Sequence, residues 1–182
     1  MIALQNLAAT NKNLEQTQLR VTTGLRVSGP KDDAATFAIA QNMRGDIAGM
    51  AAVKTNLALG QSIVNVAIDA GRAIADLLTE MKAKAVQASQ EGLDTDSYVA
   101  FNEELTSLRA QIETIVATAE FNGKNLIASA STDLKVLSTV DGSTIQVTKQ
   151  SIDATTLAIH SASLSNATVA ASALTAVNSA IV

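Results

Sequence analysis

The chain has 182 residues, 47% of them hydrophobic but only 2% aromatic, with a formal net charge of −4 and a pI of about 4.9. An acidic chain with no basic stripe has nothing to offset a phosphate backbone, which argues against nucleic-acid binding, and the absence of cysteine excludes disulfides, zinc knuckles and thiol catalysis. No apolar run approaches the roughly 18 residues of a membrane span, and the N-terminus lacks the basic segment and apolar block of a cleaved signal, so no membrane insertion is expected.

From Met1 to about Arg26, Leu7, Leu14 and Val21 recur every seven residues, with Leu4 and Leu25 beside them and Asn11 and Gln18 completing the seam. A heptad stripe with polar interruptions suits pairing with other helices in a fixed register, though a plain amphipathic helix has the same spacing. Thr22, Thr23, Gly24, Gly29 and Pro30 break the pattern, because β-branched residues are poor helix formers and proline disfavours helical geometry in its predecessor. A new helix is expected from about Ala35 to Gln87, roughly 80 Å long at 1.5 Å per residue. Asp32 and Asp33 place negative charge at its start. Met43, Met50, Leu57, Val64, Gly71, Leu78 and Ala85 repeat every seven along it, flanked by Ala40, Ile47, Ile68 and Ala75. Gly49, Gly60 and Gly71 fall eleven apart on nearly one face; they read either as sites of close backbone approach or as unrelated glycines.

The stretch EGLDTDSYVAF reads as a turn, with Asp94, Thr95 or Asp96 as cap. The next helix, about Ser97 to Ala119, carries Tyr98, Phe101, Leu105, Leu108, Ile112, Ile115 and Val116 on one side and is expected to fold back antiparallel. Beyond Phe121-Asn122-Gly123, LKVLSTVDGSTIQVTK alternates around Asp141-Gly142, a β-hairpin signal. After Ser161 the chain is rich in small residues, then Val169, Leu174, Val177 and Ile181 begin another helical stripe. The fold class is therefore mainly α, a long antiparallel helical rod with a small β-hairpin. Its segments are 1–31, 32–127, 128–160 and 161–182.

Few residues carry chemistry. Asp94-x-Asp96 resembles the head of a calcium loop, but the sixth position is Val99 and the twelfth Leu105, where that loop needs Gly and Glu. Glu103-Glu104 reads as a solvated helix face. His160, the one histidine, has no nucleophile motif beside it, and no phosphate-binding glycine pattern exists. No catalytic, cofactor or metal residue is assigned. Periodicity alone leaves a filament subunit and a signalling coiled-coil adaptor both open.

LRVTTGLRVSGPKDDAATFAIAQNMR resembles the N-terminal signature of bacterial flagellin, in which a T/S-G-L-R-I/V segment, a K-D-D-A-A run and an A-I-A-x-x-M-R run follow one another. AVQASQ, EFNGKNLI and the DGSTIQV hairpin extend the resemblance over essentially the whole chain. It implies an inner-tube helix, a spoke linker and a rod domain in a secreted, self-assembling filament protein used for motility, exported without a cleaved signal; hook-filament junction proteins share the signature. Subunit packing would fall on Leu7, Leu14, Val21, Leu25, Met43, Met50, Leu57, Val64 and Leu78, and the spoke on Gly24, Arg26, Pro30, Asp32 and Asp33. Partners would be other flagellin subunits, the flagellar export apparatus, an export chaperone and cap proteins. In that family the first helix extends upstream of IALQNL and further helix follows ALTAVNSAIV, so a trimmed or truncated flagellin is expected. Outward hydroxyls at Ser129, Ser131, Thr139, Ser143, Ser161 and Ser163 are candidates for O-linked sugars by the same resemblance. Flagellins recognised by the vertebrate Toll-like receptor carry Arg and Leu where this chain has Glu80 and Lys84, with an acidic partner matching Glu104. The two substituted residues read equally as an i,i+4 ion pair on a solvated face.

Overall fold

The computed structural model describes residues 1–181, which are mainly α-helical, with four helices and two small antiparallel ribbons. Two compact units divide at Val53 and Lys54, with one helix continuing through the division.

In the first unit, helix α1 (Ile2–Thr23) stops at a glycine that follows two β-branched residues. The Thr22 and Thr23 hydroxyls donate back to the carbonyls of Gln18 and Leu19 at 2.8 and 2.7 Å, a bond that weakens a helix when it replaces or bends the ladder. Gly24 then adopts φ +67°, and its N–H returns to the Arg20 carbonyl at 2.9 Å, a left-handed terminus open to glycine because it lacks Cβ. A turn follows at Gly29–Asp32, closed by the Asp32 N–H on the Gly29 carbonyl at 3.1 Å, and Pro30 fills the second position, where its fixed φ is favoured. Helix α2 (Ala34–Ala88) restarts at Asp33. The Asp33 carboxylate accepts the Thr36 N–H at 3.1 Å, the N-cap bond that satisfies a donor the helix cannot.

In the second unit, helix α3 (Thr95–Thr118) begins on the Asp94 cap, whose carboxylate accepts the Ser97 N–H at 3.0 Å. It runs antiparallel to α2: the Tyr98 hydroxyl meets the Gln90 carbonyl, Glu104 meets Lys84, and Leu126, just past the helix, packs on Ile63. Leu105, Leu108, Ile112 and Val116 face Ile74, Leu78, Met81 and Ala85 of α2 in one apolar core. Helix α4 (Ala167–Ile181), capped by Asn166 accepting the Val169 N–H at 2.9 Å, completes that core through Ala170, Ala173 and Val177. The buried stripe is thus alanine-based and offset from the expected one: Val169 and Leu174 are half-buried and Ile181 is exposed. Small side chains let a helix approach closely, so the face richest in alanine wins over the face with the larger residues.

Two ribbons connect α3 to α4. Strands β1 (Glu120–Phe121) and β2 (Lys124–Asn125) flank Asn122 and Gly123, both at positive φ, as a two-residue hairpin turn requires. The Asn-Gly pair is therefore a hairpin of its own, whose two-residue strands are too short to show alternation in the sequence. Strands β3 (Leu134–Leu137) and β4 (Thr144–Val147) form the hairpin anticipated around Asp141-Gly142, paired Leu134 to Val147 and Leu137 to Thr144. Its loop is Thr139–Gly142, with Gly142 at φ +93°. The Asp133 carboxylate ties the ends together, accepting the Lys149 N–H at 3.0 Å and the Gln146 amide at 2.7 Å. Leu134 and Val136 turn inward against Ile63 and Leu126.

That docking explains one of the three spaced glycines. A Cβ at Gly60 would lie 2.7 Å from Val136 Cγ2 and 3.3 Å from its Cγ1, whereas the nearest atom to a Cβ at Gly71 is Ile152 Cδ1 at 3.9 Å. Val136 is branched at Cβ and buried, so it has little room to yield. Gly60→Ala is expected to destabilise the second unit by about 1–3 kcal/mol through overpacking, offset by up to about 1 kcal/mol of helix propensity. Gly71→Ala, with ordinary contact distances, should stabilise by up to about 1 kcal/mol. Urea unfolding of both variants gives opposite midpoint shifts if the ribbon docks as described.

Candidate functional site

The heptad face of α2 changes character along its length. Met43, Met50 and Leu57 are exposed, Val64 is half-buried, and Leu78 and Ala85 are buried. Leu78, at 4% exposure, belongs to the chain's own core, and half-buried Val64 packs at the edge of the ribbon cluster. Leu7, Leu14, Val21 and Leu25 of the first-unit seam are all exposed, with Leu7 at 59% and Val21 at 79%. No residue before Val53 is buried. The first unit therefore displays Ile2, Leu4, Leu7, Leu14, Ile39 and Met43 to solvent with no core beneath them.

The linker is the polar part of this surface. Asp32 is half-buried and accepts three hydrogen bonds, from the Ser28 N–H at 3.1 Å, the Ser28 hydroxyl at 2.9 Å and the Gln16 side-chain amide at 3.0 Å. These bonds, the Ser28 N–H first, hold its carboxyl below the usual aspartate range. The Thr36 hydroxyl and N–H do the same for Asp33. Gly24 and Pro30 shape the linker backbone as expected. Arg26 lies near enough to Asp33 to add to the lowering. Gln16 and Ser28 are the members that sequence reasoning missed. Their only signal was a polar residue on the linker side of an otherwise regular stripe.

Glu80 and Lys84 do not pair. Lys84 Nζ lies 2.9 Å from both carboxylate oxygens of Glu104 on α3, with side-chain exposures of 24% and 53%. The i,i+4 pairing is displaced because the antiparallel packing of α3 brings a carboxylate to Lys84 on its inner side, while Glu80 stays in solvent. Among the hydroxyl candidates, Ser129, Thr139, Ser143 and Ser161 are exposed, while Ser131 and Ser163 are half-buried. The Ser131 hydroxyl is engaged with the Ala128 carbonyl, and Thr139 accepts the Ser143 N–H at 3.2 Å. His160 is exposed, its Nδ1 4.0 Å from Glu113 and its carbonyl accepting from Arg109. Among the described residues, no three histidine or carboxylate side chains gather as a metal site, and no helix is long and apolar enough to cross a membrane.

The side-chain bonds described above belong to helix caps, turns and packing faces. Residues 1–132 match the family model of the bacterial flagellin N-terminal helical region, and the chain belongs to the bacterial flagellin family. It is 43% identical to flagellin FljK of Caulobacter vibrioides over 152 residues, covering 84% of this chain and 56% of that protein. It is 36% identical to a flagellin of Brucella melitensis over 157 residues, 85% of this chain and 55% of the relative. Flagellin C of Rhizobium meliloti is 41% identical over 125 residues, 69% of this chain and 38% of that one. The matched region thus spans between 38% and 56% of the length of these curated relatives. The crystal structure of Bacillus cereus flagellin shares the fold, with a TM-score of 0.61 at 21% identity over 71% of this chain and 75% of that one.

Asp94, Asp133 and Asp153 are also held below the usual aspartate value, by hydrogen bonds from Ser97, from the Lys149 N–H and from the Thr156 hydroxyl respectively. A carboxyl whose folded value is depressed contributes stability above its unfolded value of 3.8, and that contribution is lost as pH falls through the folded value. The urea midpoint of the second unit should therefore be flat from pH 7 to 5 and fall below about pH 4. Asp94→Asn, which keeps a capping oxygen, should reduce the acid loss while leaving the neutral midpoint nearly unchanged.

Proposed function

We propose that this chain is part of a structural subunit of the bacterial flagellar filament, which assembles by helix packing outside the cell and serves motility. The observation that carries the proposal is the first unit, where no residue before Val53 is buried although the heptad seam is apolar. Fully burying a Leu, Met or Ile side chain is worth about 1.5–3 kcal/mol, so a handful of such residues left in water forgoes on the order of 10 kcal/mol that a neighbouring helix would supply. Copies of the same subunit are the partners that family membership favours over an adaptor's targets or a hook-filament junction. Export through the flagellar apparatus with a chaperone, and growth beneath cap proteins, follow as part of the same proposal. The exposed hydroxyls at Ser129, Thr139, Ser143 and Ser161 remain the candidates for sugar attachment, their hydroxyls lying on the outer surface of the second unit. No step of this function calls for a catalytic residue.

Leu7→Asp with Leu14→Asp, placed in the full-length subunit, is expected to abolish sedimentable filaments. Both side chains are exposed in the single chain, so the melting of the second unit should be unchanged. Normal filaments from the double variant would end the assembly reading.

The same reading extends to the vertebrate Toll-like receptor. A subunit with Glu80 and Lys84 at the receptor-facing positions should be a poor ligand, because one charge is reversed, an ammonium replaces an apolar anchor, and Glu104 is already engaged by Lys84. Loss of a hot-spot contact costs about 2 kcal/mol or more. Glu80→Arg with Lys84→Leu restores both anchors and releases Glu104. Reporter-cell signalling should rise by at least about tenfold; strong signalling by the unchanged protein would refute the idea.

A further inference from the structure

The bend between α1 and α2 has two kinds of support. Gly24 and the Gly29–Asp32 turn make it sterically possible, but backbone permissiveness alone does not select one geometry. Selection comes from side chains, and a single carboxylate supplies it. Asp32 receives Ser28 through both its N–H and its hydroxyl, which closes the linker on itself, and receives the Gln16 amide from α1, sixteen residues back, which fastens the linker to the helix it has just left. Asp33 next door does different work: both of its contacts go forward to Thr36 and serve α2. The adjacent aspartates therefore divide the junction, one holding the preceding helix and the other starting the next.

We propose that Asp32 is a clasp that holds the linker against α1, and that the linker has a second, unclasped state reached by removing or neutralising this one carboxylate. The groups around it favour the closed form at neutral pH. Lys12, Glu15 and Lys31 line the same recess, Arg20 acts on Asp32 through its charge, and Arg26 acts on Asp33, leaving an excess of positive charge about the pair. Protonation withdraws the acceptor that Ser28 and Gln16 share. The clasp is thus closed above the ordinary carboxyl value of 3.8 and opens as pH falls through the lower value these hydrogen bonds impose. The inference concerns the single chain and does not rest on its place in a filament.

Nuclear magnetic resonance of the full chain tests it. The Asp32 carboxyl carbon should titrate with a midpoint below 3.8, and the Ser28 amide proton and the Gln16 side-chain amide should move with that same midpoint, while Thr36 follows Asp33. At pH 7 the Ser28 amide should exchange at least about tenfold more slowly than in an unstructured peptide, and Asp32→Ala should remove that protection. Asp33→Ala, which loosens the start of α2, should leave it in place. A Ser28 amide unprotected in the parent chain, or protected equally in Asp32→Ala, overturns the clasp.

Discussion

One helical face is covered along part of its length and bare along the rest, and the structure depends on where it changes from one to the other. From Ile63 onward, the inner residues of α2 are covered by α3, α4 and a ribbon of the same chain. Before Val53 the same seven-residue rhythm continues with nothing over it. A sequence repeat cannot mark that change, because Met43 and Leu78 obey one spacing. The change is made by the length of the antiparallel return, since α3 begins beside Gln90 and the ribbon following it still covers Ile63 and Gly60 but nothing before Val53 is buried.

Aromatic poverty is consistent with this arrangement. The buried core is built from aliphatic, alanine and one methionine side chain, which pack densely without aromatic bulk. Such a core has little tolerance at points of closest contact. Gly60 is one of them, because a strand side chain occupies the space a methyl group would need.

Helices were legible in the sequence to within a few residues, because heptads, Asp caps and Gly-Pro breaks act locally. The long helix expected from Ala35 to Gln87 spans Ala34–Ala88, and the helix expected from Ser97 spans Thr95–Thr118. The hairpin was legible from its alternation. Three features were not, and all depend on residues distant in sequence or on very short elements. Lys84 chose Glu104 over Glu80 because tertiary packing put it there. Asn125, whose side chain donates to the Val116 carbonyl at 2.6 Å and accepts the Ile127 and Ala128 N–H groups, gives no pattern in sequence. The buried stripe of α4 fell on Ala170, Ala173 and Val177 because that face meets the core shared with α2 and α3, a choice made by tertiary packing.

The described core contains no buried polar or charged residue, and that has a consequence for register. An aliphatic interface with a seven-residue repeat resists sliding poorly: a slip of one heptad, about 10.5 Å at 1.5 Å per residue, returns apolar side chains to apolar neighbours. What forbids the slip lies at the margins. At one end the Tyr98 hydroxyl of α3 donates to the Gln90 carbonyl just past α2 at 3.3 Å, Lys84 of α2 pairs with Glu104, and Asn102 accepts the Leu164 N–H at 3.0 Å; at the other, Asn125 grips the Val116 carbonyl beside the Leu126 that packs on Ile63. The hydrophobic stripe supplies cohesion without an address. A few directional bonds at its two ends act as indexing pins, converting a bundle that could slide into one with a single setting.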